Sequence, residues 1–295
     1  MASVAPLIVI TGPTASGKSA VAMELAQRYD GEIICADSRT IYKGMDIGTA
    51  KPSAEDRAKI PHHLLDVVEP GEAFSAADFK RLANEAIADI RARHKVPFLV
   101  GGTGLYIDSV VLDYTFTSQE TNESQAKRRQ ELEDKTVQQL QELIKKQQLS
   151  MPENLKNKRH LVATLLRGNR HTERRSEPVE NCVVVAIATE KDELFRRIEL
   201  RAHEMFDGGV IEEAQGLGQT YGWESEAFTG VIYPILRQLV HGEISQEQAI
   251  DTFIRGDKQL VKKQLTWLRR HDFVQWFSRE EAKQYLEQVL SSLEA

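Results

Sequence analysis

Eight consecutive residues, Gly12-Pro13-Thr14-Ala15-Ser16-Gly17-Lys18-Ser19, fit the spacing G-x-x-x-x-G-K-[ST] and follow directly on an apolar run at 6–10. Glycines let such a loop wrap until backbone N–H groups and the next helix N-terminus converge on an anion. The lysine adds a point charge, and the hydroxyl after it can hold Mg²⁺. Gly12, Pro13, Thr14, Ala15, Ser16, Gly17, Lys18 and Ser19 are therefore predicted to form a polyphosphate cradle, with Ser19 the metal-facing oxygen. The ligand class is set, but the reaction is open. A kinase or GTPase with this loop needs a strand ending in an aspartate for the metal. Here the run at 97–101 ends in Gly101-Gly102-Thr103-Gly104-Leu105-Tyr106, without a carboxylate. The carboxylate stands instead at Asp37, just after the run 32–36. Strand ends of an open α/β sheet line the ligand crevice, which predicts Asp37 near the phosphates. The competing reading is a turn residue in Asp37-Ser38.

Short apolar runs alternating with helical patterns must hold these loops. Strands are predicted at 6–10, 32–36, 63–68 and 97–101, and helices at 19–28 and 76–93. A further run at 182–188 resumes the sheet, and the chain beyond 190 reads as helices, ending in an amphipathic one at 280–293. Between them, 113–178 is polar, rich in Gln, Lys and Glu, and helical in pattern around 132–149. The fold class expected is α/β: a P-loop NTPase-like parallel sheet flanked by helices, with a helical insertion subdomain and a helical C-terminal part. The domains would be 1–112 plus 179–295 as the core and 113–178 as the insertion, in contact with RNA if the chain binds any.

With 295 residues, 41% hydrophobic and 28% charged, the chain has the composition of a soluble globular protein large enough to bury a core. It has no apolar run of about 18 residues and no signal-peptide pattern at its start, so a cytosolic protein with no membrane partner is expected. Cys35 and Cys182 lie in apolar stretches without metal-ligand spacing and read as buried thiols. A net charge of −6 gives no global attraction to nucleic acid, so such a partner must be held by local basic patches.

Several segments together resemble the tRNA dimethylallyltransferase (tRNA isopentenyltransferase) family. They are GPTASGKS (12–19), ADSRTIYKGMDIGTAKP (36–52), PHHLLDVVEPGEAFSAADF (61–79), VGGTGLY (100–106), RRIELRAHEMFDGGVIEEA (196–214) and LVKKQLTWLRR (260–270). The resemblance implies that the cradle holds the diphosphate of dimethylallyl diphosphate. It also implies that the chain transfers the dimethylallyl group to N6 of the adenine 3′ of the anticodon, with Mg²⁺ as cofactor and the tRNA anticodon stem-loop as partner. Asp37 matches the family's general base, Thr103 a residue near the reacting centre, and Arg201 an arginine over the diphosphate. Ser38, Arg39 and Thr40 match the loop that touches the flipped nucleotide. Arg159 and Tyr233 fall at positions that meet RNA in the family, and the protein would work as a monomer. Competing readings are an N-cap for Thr103 and a surface salt bridge with Glu199 or Glu204 for Arg201, whose diphosphate role Arg197 could take.

An anticodon-loop adenine must be splayed out before N6 can reach a buried site, so the stem and loop need a grip. Residues 156–175 carry seven Lys or Arg (Lys156, Lys158, Arg159, Arg167, Arg170, Arg174, Arg175) against the single acid Glu173. Residues 251–275 carry six basic against three acidic side chains, with Arg255, Lys258, Lys262 and Arg269 on one helical face and Ile254, Val261, Leu265 and Leu268 on another. His62 and His63, being adjacent, would point to opposite sides of a strand and cannot share a metal. Two stretches depart from the family pattern: Val162 and Leu165 stand where an arginine and a glutamate are usual, and Ile232-Tyr233-Pro234 stands where Gly-Tyr-basic is usual. These departures touch the RNA contacts and leave the diphosphate chemistry intact. The rivals are a P-loop kinase, a prenyltransferase acting on free adenylate, and a non-catalytic RNA- or nucleotide-binding protein.

Overall fold

β1 (Leu7–Thr11) is buried at every position, as expected of a central parallel strand with both faces covered. The computed structural model describes residues 4–116, 122–152, 155, 158–168 and 173–292. After β1 come α1 (Lys18–Arg28), β2 (Gly31–Ala36), α2 (Ala54–Lys59), β3 (His62–His63), α3 (Ala76–Ala92), β4 (Val96–Gly101) and α4 (Gly104–Val111). Three helices follow, α5 (Asn122–Glu133), α6 (Val137–Lys146) and α7 (Lys158–Arg167). The sheet resumes with β5 (Cys182–Ile187), then α8 (Lys191–Asp207), α9 (Val210–Tyr221), α10 (Ile232–Val240), α11 (Gln246–Leu268), β6 (Gln275–Phe277) and α12 (Arg279–Ser291).

Among the described residues the six strands form one sheet in the order β3-β2-β4-β1-β5-β6, and every pairing is parallel. Register matters for function. Gly101 lies opposite both Thr11 and Ala36, so β1, β4 and β2 end at one level and release their three loops side by side. Val21, Ala22, Leu25 and Ala26 of α1 and Ala282, Leu286 and Leu290 of α12 share a core with Ile8, Ile33, Cys35, Phe98 and Val185 of the strands. That packing anchors α1 and, with it, the loop at its N-terminus.

The sheet differs from its sequence reading at both edges. The run 63–68 pairs with β2 only through His62 and His63, because Leu64 and Asp66 turn the chain at φ 63 and 54. Asp66 is held there by Lys51 (2.6 Å) and Arg57 (3.0 Å), so ion pairing ends the strand that the apolar pattern would have extended. β6 has only three residues, too few to show an alternation. His62 and His63 serve the structure. The Nδ1 of His62 bonds Ile60 O at 2.7 Å, and the Nε2 of His63 bonds the buried carboxylate of Glu32 at 2.8 Å. Arg93 also bonds Glu32, whose carboxyl is held down to about 2 by that arginine first and by His63 and Lys95 after it.

The chain divides into two compact units, Met1–Asp113 with Arg175–Ala295, and Tyr114–Arg174. Within the smaller unit α5, α6 and α7 surround Leu132, Leu140, Ile144, Leu149, Leu161, Val162 and Leu165. Val162 and Leu165, two of the departures from the family pattern, are 4% and 0% exposed and form its core. Charged residues would have no place in this packing.

Candidate active site

The loop between β1 and α1 takes the strained turns that the motif requires. Gly12 and Gly17 lie at φ 147 and 90, where a Cβ is disfavoured, and Ala15 also sits left-handed at φ 64. Lys18 Nζ donates to Pro13 O at 3.3 Å across the loop. Burial pulls its ammonium down to about 8, with Asp37 opposing the fall and Arg201 adding to it. Ser16 Oγ is buried and has no hydrogen-bond partner among the described residues. Ser19, the expected metal-facing hydroxyl, is exposed and lines the cavity described next.

Thr14, Ala15, Gly17, Lys18 and Ser19 form one wall of a cavity of about 570 Å³, and Asp37, Thr40 and Arg201 line it too. Its apolar lining includes Met23, Ile33, Cys35 and Val100. Cys35 is 8% exposed, and burial pushes its thiol up to about 12, with Asp37 adding to the rise. Cys182, at the start of β5, is only partly buried and not the fully buried thiol expected, although its surroundings push its thiol up as well. A smaller cavity of about 90 Å³ shares Thr14, Asp37, Thr49 and Arg201 with the first and is also lined by Arg39, Tyr233 and Asp257. Among the described residues no three His, Cys, Asp or Glu side chains converge for a metal. Ser19 and Asp37 bring two hard oxygens to the larger cavity, the donor type that Mg²⁺ takes.

Asp37 and Thr103 are locked together by the level strand ends. Thr103 Oγ1 accepts from Ser38 N at 3.0 Å, while Asp37 Oδ1 accepts from Arg39 N at 2.8 Å. Thr103 is the N-cap residue of α4, but its side chain makes no cap bond and reaches to the Asp37 loop instead. A Cβ on Gly104 would overlap the Trp267 ring, so only glycine lets α4 approach α11 here. Arg201 pairs with Asp257 of α11, not with Glu199 or Glu204. Arg197 also lines the larger cavity, where it donates to Ala15 O of the cradle loop at 3.3 Å and pairs with Glu193 at 2.7 Å.

Several residues expected at RNA are tied into the fold. Arg39 Nη1 donates to Glu226 O (2.8 Å) and Ala227 O (3.3 Å), and Thr40 is 6% exposed. Tyr233 is 1% exposed, its hydroxyl donates to Glu213 Oε1 at 2.8 Å, and it lines the smaller cavity beside Asp37. Its neighbours split, with Ile232 3% exposed and Pro234 exposed. Arg159 falls on α7, but its side chain lies outside the described residues, as does that of Arg167; Lys156 and Arg170 lie outside them altogether. On α11, Lys258 is engaged by Glu199 at 2.8 Å and lies over the Phe195 ring, leaving Arg255, Lys262 and Arg269 exposed.

A family model described as IPP transferase matches residues 40–271. The chain belongs to the IPP transferase family. It is similar to the tRNA dimethylallyltransferase of Desulforudis audaxviator, 38% identical over 287 residues that cover 94% of this chain and 93% of that protein. The corresponding protein of Anoxybacillus flavithermus is 37% identical over 281 residues, 92% of this chain and 89% of the relative. The crystal structure of a tRNA isopentenylpyrophosphate transferase from Bacillus halodurans superposes with a TM-score of 0.73 at 31% identity, covering 98% of each chain.

Three residues of the site carry no motif in the sequence. Gln264 Oε1 accepts from Thr14 N at 2.9 Å and its Nε2 donates to Gly102 O at 3.3 Å, clamping two of the three loops. One cradle amide is thus already paired within the protein. Asp257 carried a signal that was readable: with Phe253 and Val261 it makes an i, i+4, i+8 stripe, and a charge on an apolar stripe announces a buried partner. Glu213 gives the loop at 44–52 its shape. Its carboxylate accepts from Asp46 N (2.8 Å), Ile47 N (2.7 Å) and Gly48 N (2.9 Å) as well as from Tyr233. Glu213→Ala should lower stability by about 2–3 kcal/mol, the scale of hydrogen bonds to a charged group. Urea unfolding monitored by circular dichroism measures it; an unchanged midpoint would mean the loop holds itself.

Proposed function

We propose that the chain transfers the dimethylallyl group of dimethylallyl diphosphate to N6 of the adenine 3′ of a tRNA anticodon. The reading is supported most by one observation: the Lys18 cradle and the Asp37 carboxylate line the same cavity, which also has an apolar lining. The diphosphate lies on the cradle, where Lys18, Arg201 and loop amides stabilise the charge that develops as the C1–O bond breaks. N6 attacks the allylic carbon, the N6–C1 bond forms, and the N6 proton passes to Asp37 as general base. Thr103 holds the Asp37 loop in place through Ser38 N. Mg²⁺ bound with the diphosphate, with the Ser19 hydroxyl as its protein ligand, would neutralise the leaving group. The exposed cations Arg255 and Lys262 of α11, with Arg269 just after it, supply phosphate contacts to the anticodon stem-loop. Among the described residues no helix is long and apolar enough to cross a membrane. One copy carries all the groups named, so the chain would act as a monomer.

Purified protein with Mg²⁺ and radiolabelled dimethylallyl diphosphate should label unmodified tRNA and leave ATP unchanged. Phosphoryl transfer from ATP without prenylation of tRNA would overturn the reading in favour of a kinase, and labelling of free AMP alone would move the acceptor.

A further inference from the structure

Arg201 is the cation of the site with the most constrained surroundings. Its Nη2 donates to Asp257 Oδ2, and its Nε is buried with no acceptor among the described residues. The partner carboxylate is 2% exposed and lies one turn from Phe253 and from Val261 on α11. α8 and α11 do not need this pair in order to meet, since Leu194, Ile198 and Val261 already pack there. Placing a buried carboxylate close to an anion site is unfavourable by itself. It becomes useful only if the arginine stands between the two.

We propose that Asp257 is a positioning residue for the transfer, fixing the Arg201 guanidinium so that its unpaired donors face the diphosphate on the Lys18 cradle. This rests on the proposed prenyl transfer and assigns the part of one residue in it. An arginine loses much rotamer freedom when it binds an anion, and a carboxylate that orders it beforehand removes that cost from the binding step. Arg201 and Asp257 line the smaller cavity together with Thr14 and Asp37, so the ordered fork lies beside both the cradle and the base. Lys18 and Arg201 line the same larger cavity, so one ligand lying there meets both cations. Burial raises the Asp257 carboxyl above its usual range, and Arg201 opposes the rise.

A double-mutant cycle tests the proposal. Asp257→Asn should lower kcat/KM for dimethylallyl diphosphate roughly 10- to 100-fold, the scale of a misplaced catalytic group, and should weaken the binding of inorganic pyrophosphate measured by calorimetry. In an Arg201→Lys background, which keeps the charge and loses the fork, the same change should have little further effect on either quantity. Asp257→Glu should recover part of the loss. Additive effects in the cycle, or unchanged pyrophosphate affinity in Asp257→Asn, would show Asp257 to be a packing residue only. Pyrophosphate binding needs no RNA and no turnover. If the wild type transfers no prenyl group yet the cycle on pyrophosphate is non-additive, the assigned reaction fails while the positioning role stands.

Discussion

Asp37→Ala should slow prenyl transfer roughly 10²- to 10⁴-fold, the range for losing a general base, with tRNA affinity nearly unchanged. Oδ1 accepts from Arg39 N within its own loop, and Thr103 holds that loop through Ser38 N. The alanine variant keeps the second bond, so the loop retains its position while the proton acceptor is lost. Asp37→Asn is the sharper control, because it keeps the shape and can still accept from Arg39 N. Single-turnover rates with tRNA in excess, beside filter binding of the same tRNA, separate the two effects. A parallel loss of binding and rate would make Asp37 a structural residue.

Lys18→Met should lower kcat/KM for the donor by roughly 10²- to 10³-fold, as expected when one preorganised charge is removed from a departing anion. The wild type carries a pH signature of the same residue. Burial pulls its ammonium down to about 8, so in the free protein Lys18 is charged below that pH and neutral above it. Pyrophosphate affinity should therefore hold below pH 8 and fall as pH rises through it, and Lys18→Met should abolish that limb. Calorimetry between pH 7 and pH 9.5 reads both. An affinity that is flat over this range in the wild type would remove Lys18 from the ligand.

The groups that sequence made legible are those whose signal is local. The cradle is eight consecutive residues whose glycines have a stereochemical reason, and Asp37 follows from the end of β2. The cores of β1, β2, β4 and β5 follow from apolar runs too long and too bounded to be anything else. What stayed hidden depends on partners far along the chain: Gln264 clamps Thr14 across 250 positions, Glu213 braces Gly48 across 165, and Asp257 holds Arg201 across 56. No period or motif encodes such pairs. The same reason hid the burial of Tyr233, which bonds Glu213, and the shortening of β3, decided by Lys51 and Arg57 on Asp66. The resemblance to a family supplied roles, and only packing could say that Arg39 and Tyr233 are already occupied.

Cys35 sits in the wall of the larger cavity, two residues before the base. Sulfur anions capture allylic electrophiles readily, and an enzyme that generates one beside its own thiolate would alkylate itself. With the thiol pushed up to about 12, the sulfur keeps its proton at neutral pH, and the chamber wall is inert toward the species it encloses. The burial that shapes the chamber thus also protects the catalyst from its own reagent.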